Sequence, residues 1–271
     1  MNFALVFDPL FQVPFLTGLA FAVLLPLLGM YLRLRGEWLA ALALAQVASA
    51  GALTAAVFGA PMAAGGAVAA LAAAAVKSAA RRAAENAYML MLLVGWSVSV
   101  LCVANAPVAE GLGHALFDGQ LYFTDKTHLW LAAGALAVGA PALNALSRPL
   151  LLAHFFPDFF RARGLSERRH RLAFDCLAAL ALALATTSIG VMAAFALIAL
   201  PSYVAFRRGR DWRRALAMAT ATGVLCYTFA FALALALDQP FGPLCALTLA
   251  ATAVVAGWRR PHGGKGRRFR G

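Results

Sequence analysis

Charge is scarce in this chain, and it is missing altogether from long stretches. Only 13% of the 271 residues are Asp, Glu, Lys or Arg, while 63% are hydrophobic. Soluble domains carry about 25% charged residues, so a soluble globular protein is excluded. There are 24 consecutive uncharged residues between Asp8 and Arg33, and 39 between Glu37 and Lys77. Further uncharged runs cover 86–109, 127–147, 176–206, 215–237 and 239–258. A membrane-spanning helix needs about 20 apolar residues. All the runs but 176–206 hold one or two spans each, and the fold class is an all-α, polytopic transmembrane bundle.

Other absences narrow the function. The four cysteines, Cys102, Cys176, Cys226 and Cys245, stand singly in apolar surroundings with no Cys-x-x-Cys pair. They read as small buried hydrophobes, not as a thiolate metal site or a disulfide framework. No Lys or Arg precedes Arg33, so the basic start of a cleavable signal peptide is missing and the first apolar block is expected to stay as a helix. No phosphate-binding loop is present, because Gly263-Gly264-Lys265-Gly266 lacks both the spacing and the hydroxyl such a loop needs. The chain is therefore not expected to hydrolyse ATP itself. Ionisable groups inside the spans are nearly absent, which leaves a membrane enzyme without a catalytic constellation.

What is present orders itself along the chain. Spans are expected at 12–32, 37–58, 61–80, 87–106, 128–152 and 214–236, with a last one after the turn Asp238–Pro243 that ends at Trp258. Thirty-five further residues, 172–206, barely hold two more. There Thr186-Thr187-Ser188-Ile189-Gly190 interrupts the apolar pattern, and a break at membrane depth is expected. With nine crossings and the N-terminus outside, 22 of the 23 Lys and Arg fall inside, and only Lys126 falls outside. This is the positive-inside segregation, and it makes the C-terminus cytoplasmic. The domains are then a transmembrane unit over 1–258 and a basic tail over 259–271. The net charge of +12 thus belongs to membrane topology and not to nucleic acid, and the tail anchors on anionic lipid.

The charged segment His154–Arg171 lies inside. Its five arginines are mixed with Phe155, Phe156, Phe159 and Phe160. A merely solvated loop has no use for four phenylalanines, whereas a short amphipathic helix pressed on a partner or on headgroups does. Asp175 stands four residues after Arg171, the spacing of a helix-surface pair. Polar residues left within the spans are Gln46, Ser49, Thr54, Ser97, Ser99, Thr186, Thr187 and Ser188. Most such hydroxyls bond back to their own helix, and Gln46 is the hardest to hide. The candidate pathway is Gln46, Ser49, Thr186, Thr187 and Ser188. In the outer loop, His114, Asp118, Asp125 and His128 offer imidazole and carboxylate suited to zinc or manganese, although polar residues are also what an outside loop needs. The tracts Ala63-Ala64-Gly65-Gly66 and Ala179–Ala185 allow close helix packing.

Three segments carry a family resemblance. The run from Ile189-Gly190 through Ala196-Leu197 to Leu200-Pro201 resembles the ABC-transporter permeases that import zinc, manganese or iron. Phe156-Pro157-Asp158-Phe159-Phe160-Arg161-Ala162-Arg163-Gly164-Leu165 resembles their cytoplasmic loop, and Pro240-Phe241-Gly242-Pro243 their turn before the last helix. The resemblance implies a type II importer permease of the bacterial cytoplasmic (inner) membrane, moving a divalent metal ion by alternating access. It implies a cytoplasmic ATPase partner that binds ATP, a second permease chain, like or unlike, and a periplasmic or surface binding protein. No cofactor would be bound by this chain; zinc or manganese would be the cargo. Phe156, Asp158, Phe159, Arg161, Arg163 and Gly164 would form the coupling surface for the ATPase.

One stretch departs from the pattern. Where the family usually reads Gly-Asp-Ala-Leu-Ser-His in the second span, this chain has Ala41-Leu42-Ala43-Leu44-Ala45-Gln46. Leu42 takes the Asp position and Gln46 the His position, and a neutral amide is a poor zinc ligand. Likewise the Glu-Asp pair before the fourth span becomes Glu85-Asn86. Two alternatives stand beside the metal-ion reading: a permease for a chelate such as siderophore or cobalamin, and a scaffold subunit that transports nothing.

Overall fold

The uncharged runs become helices because backbone groups in lipid must pair within their own segment. The computed structural model of the chain describes residues 9–79, 84–119, 121–156, 158, 166–209 and 211–258. Among these are ten α-helices: α1 (Pro9–Leu34), α2 (Trp38–Val57), α3 (Met62–Ala79), α4 (Ala84–Asn105), α5 (Pro107–Asp118), α6 (Lys126–Phe155), α7 (Glu167–Ile189), α8 (Val191–Arg208), α9 (Trp212–Leu237) and α10 (Phe241–Trp258). Seven are long and apolar enough to cross a membrane, and α3 and α10 are shorter apolar helices. Together these nine match the nine expected spans. α1, α2, α7 and α8 are the most buried, whereas α4 and α6 expose most of their length.

Three local expectations are corrected. The outer loop 107–127 is not all loop: Pro107 sits at the start of α5, where its missing N–H costs nothing. The charged segment is shorter than its charge pattern suggested, because α7 already begins at Glu167. Its first turns therefore hold Arg168, Arg169 and Arg171. Finally, Thr186, Thr187 and Ser188 do not interrupt the helix. Their hydroxyls donate to the carbonyls of Ala183 and Leu184, which keeps them in the helical ladder.

The break is confined to Gly190, with φ of 86°, a left-handed conformation that favours glycine. A Cβ there would lie 2.6 Å from the Cα of Gly119, itself at φ 84°, and one on Gly119 would lie 2.5 Å from the Ile189 carbonyl oxygen. The turns 119 and 190 thus touch backbone to backbone, with Gly242 adjoining. All three belong to the end opposite the arginines, as the nine-crossing path requires.

Small residues set the helix spacing, as their abundance suggested. A Cβ on Gly65 would meet the Gly51 carbonyl oxygen at 2.5 Å, so α2 and α3 also touch through their backbones. Pro26 removes the donor for the Ala22 carbonyl, and Gly223 of α9 packs on that spot, where a Cβ would lie 2.9 Å from the oxygen. Tyr227, fully buried on α9, donates its hydroxyl to the Phe15 carbonyl at 2.9 Å.

Candidate transport and coupling sites

α2 and α4 bring buried polar groups together. Gly95 of α4 lies against the Gln46 backbone, where a Cβ would stand 2.8 Å from its carbonyl carbon. Two turns further on, the Thr54 hydroxyl of α2 is 3.7 Å from Cys102 Sγ of α4. These two contacts fix the register and place Ser49 and Ser99 at one level between them. Gln46 is 7% exposed, and Ser49 and Ser99 are fully buried. Gln46 Oε1, Ser49 Oγ and Ser99 Oγ have no protein hydrogen-bond partner. A buried polar atom left unpaired costs about 1–3 kcal/mol, so this level costs the bundle stability. The other candidate pathway residues, Thr186, Thr187 and Ser188, are satisfied by their own helix and show no such deficit.

Of the four outer-loop ligand candidates, the three whose side chains are described, His114, Asp125 and His128, are not gathered into one site. His114 is exposed on α5, and the Asp118 side chain lies outside the described residues. Asp125 caps α6 instead: its carboxylate accepts the His128 amide at 3.0 Å, and the His128 ring Nδ1 lies 2.7 Å from the same oxygen. The His128 amide, followed by its ring, holds the Asp125 carboxyl down at about 2. Its contribution to the cap is thus present above the usual carboxylate range and lost as pH falls through about 2. Among the described residues no three His, Cys, Asp or Glu approach closely enough to hold a metal ion.

At the arginine-rich end lies a feature the sequence did not reveal. Asp175 does not pair with Arg171, which instead binds Glu167 at 2.6 Å. Asp175 turns inward, 2% exposed, and accepts from Arg35 Nη1 at 3.0 Å and Nη2 at 3.4 Å. Lys77, 5% exposed, donates to the same carboxylate at 2.5 Å and stands 2.9 Å from Glu37 Oε2. Arg35 Nη2 closes the circuit, 2.8 Å from that Glu37 oxygen. Two cations and two anions thus form a ring, each anion shared by both cations. The Arg35 guanidinium also lies over the Phe174 ring. A small cavity of about 50 Å³ beside the ring is lined further by Tyr88, Arg168 and Arg171. The signal for this ring was present only in outline: Arg35, Glu37 and Lys77 stand at helix ends on the same side, and Asp175 lies two turns into α7, at the start of its apolar run.

Of the coupling candidates, Phe156 is 60% exposed and Asp158 is exposed too. Phe159, Arg161, Arg163 and Gly164 lie outside the described residues, as do the tail 259–271 and the short helix expected within the loop.

The whole chain has known likenesses. Residues 8–260 match the ABC 3 transport family. The chelated iron transport system membrane protein YfeD of Yersinia pestis is 25% identical over 268 residues, which cover 94% of this chain and 89% of that protein. Among solved structures, PsaBC from Streptococcus pneumoniae in complex with Fab superposes with a TM-score of 0.84 at 17% identity, covering 96% of each chain. An ABC transporter in an inward-facing conformation gives 0.72 at 15% identity, covering 91% of this chain and 85% of that one. These structural likenesses speak for the fold, and the family match spans every described residue. The chain therefore belongs to the ABC 3 transport family and is a polytopic membrane permease of an ABC transporter in the inner membrane.

Proposed function

We propose that this chain forms, with a second permease chain, the membrane path of an importer for a divalent transition metal, zinc or manganese. A cytoplasmic ATPase drives it and a periplasmic or surface binding protein supplies it. The observation that carries this reading is the polar level between α2 and α4, where Gln46, Ser49 and Ser99 keep unpaired oxygens inside the bundle. Polar groups at membrane depth are costly and mark ion or substrate routes by default. Neutral oxygens bind a divalent ion weakly, which suits a path that must release its cargo. ATP-driven closure of the ATPase pair would move the 154–171 loops and tilt the helices around the path.

Gln46 sets the first test. Gln46→Ala is expected to lower metal uptake by about tenfold, the low end of what polar groups near a metal contribute, while the protein level in the membrane is unchanged. Equal uptake by this variant would remove α2 from the path. The loop supplies the second. Joint replacement of Arg163 and Gly164 is expected to separate ATP hydrolysis from uptake in the reconstituted complex. Native uptake by that variant would sink the coupling role of 154–171.

A second reading has its own support. Leu42 and Gln46 replace an acidic residue and an imidazole, and YfeD is named for chelated iron. A chelated metal brings its own ligands and needs none from the wall. Uptake over a panel of free and chelated metals, in a strain lacking and then regaining the gene, separates the two readings. Metal flux with this chain as the sole permease would exclude a scaffold role.

A further inference from the structure

The ring of Arg35, Asp175, Lys77 and Glu37 joins four separate elements. Arg35 follows α1 by one residue, Glu37 precedes α2 by one, Lys77 lies in the last turn of α3, and Asp175 lies two turns into α7. Net stability does not account for it, since an apolar cluster of similar volume serves a core as well as or better than buried ion pairs. What the ring supplies is a unique geometry. Apolar contacts are non-directional and let helices slide, whereas a forked guanidinium and a shared ammonium hold two carboxylates in one arrangement.

Its position gives that geometry a use. Arg168 and Arg171, which line the adjoining cavity, belong to the first turns of α7, directly after the loop. Glu37, at the other side of the ring, opens α2, and Gln46 follows nine residues later, about 14 Å along a rigid helix. We propose that the ring fastens α1, α2, α3 and α7 into one body, so that motion arriving at the start of α7 displaces the Gln46–Ser49 level of α2. Arg35, Glu37, Lys77 and Asp175 are positioning residues for transport: they touch no cargo and transmit the loop's movement. This inference rests on the reading of 154–171 as the coupling loop and of α2 as the path wall.

The test uses the complete transporter in liposomes, with zinc and manganese ions as probes and metal moved per ATP hydrolysed as the readout. Lys77→Met combined with Asp175→Leu removes half of the ring and leaves Arg35 paired with Glu37, so no lone charge stays buried. This double variant is expected to assemble and hydrolyse ATP while metal moved per ATP falls by about tenfold, within the range of known inter-site couplings. The conservative single variant Lys77→Arg is expected to keep the native ratio. A native ratio in the double variant would overturn the proposal.

A second measurement applies even if that variant fails to assemble or the native complex moves neither ion. Spin labels on Trp38→Cys and Arg169→Cys, both exposed sites, in a background without native cysteines, report the α2–α7 distance. In one body that distance stays within about 2 Å between nucleotide-free and ATP-trapped states, and a change of about 5 Å, one helical turn, would overturn the proposal. An unchanged distance in a complex with no zinc or manganese flux would leave the ring's role standing and the cargo assignment refuted.

Discussion

Gly29→Leu is expected to abolish accumulation of folded protein in the membrane. Gly29 lies on α1 where α8 crosses it, and both helices are among the most buried of the bundle. A Cβ at this position would stand 1.8 Å from the Ile198 carbonyl oxygen and 2.8 Å from its carbon. Non-bonded carbon contacts settle near 3.5–4.0 Å, so the two helices would have to part by well over an ångström. The obstacle is backbone, which has no rotamer to change. Parting α1 and α8 would loosen the packing around Phe21, Leu25 and Leu197, all fully buried. The expected cost exceeds about 3 kcal/mol, the upper end for overpacking a core, against a stability of about 5–15 kcal/mol for a whole domain.

Gly134→Leu is the matched control. Gly134 lies within α6, and nothing stands within 4 Å of a Cβ built there. A leucine on that open face meets lipid, and the variant is expected to accumulate and elute from a sizing column in detergent like the native protein. If Gly29→Leu elutes with the control, the α1–α8 crossing is wider than the structure places it.

The spans could be read from sequence because lipid tolerates no unpaired charge, so each uncharged run had one physical interpretation. Counting arginines then fixed the path, since a wrong number of crossings would scatter them over both sides. α5 escaped notice for the opposite reason: at twelve residues, with Glu110 and His114 among them, it has neither the length nor the apolarity that identifies a span. Thr186, Thr187 and Ser188 misled because hydroxyls are equally at home in a loop and in a helix that takes their bonds back. The departure at Gln46 was legible against the pattern of the family that the chain resembles. That Ser99 shares its level was not, because it depends on the register of α2 against α4. The ring was the least legible feature. Arg35 and Asp175 are separated by 140 positions and Lys77 and Asp175 by 98, whereas Arg171 stood an obvious four residues away and took Glu167 instead.

The ring also carries the second large effect. Asp175→Ala is expected to destabilise the protein by about 3–5 kcal/mol, the cost of breaking a buried pair by removing one partner. The aspartate is the hub: it accepts both prongs of Arg35 and the Lys77 ammonium. Without it, two buried cations are left to Glu37 alone, and the 2.8 and 2.9 Å contacts it makes cannot balance both charges. Lys77→Met/Asp175→Leu removes one charge of each sign and fills the space with apolar groups, so it is expected to melt close to the native protein. Thermal unfolding of the three proteins in one detergent checks this ordering, and equal melting of Asp175→Ala and the native protein would show that Asp175 is wetter than its burial implies. The ordering also separates two roles of one cluster. If the single variant loses stability while the double variant keeps stability but loses coupling, the ring's net contribution to folding is small. Its retention is then explained by the motion it transmits to α2.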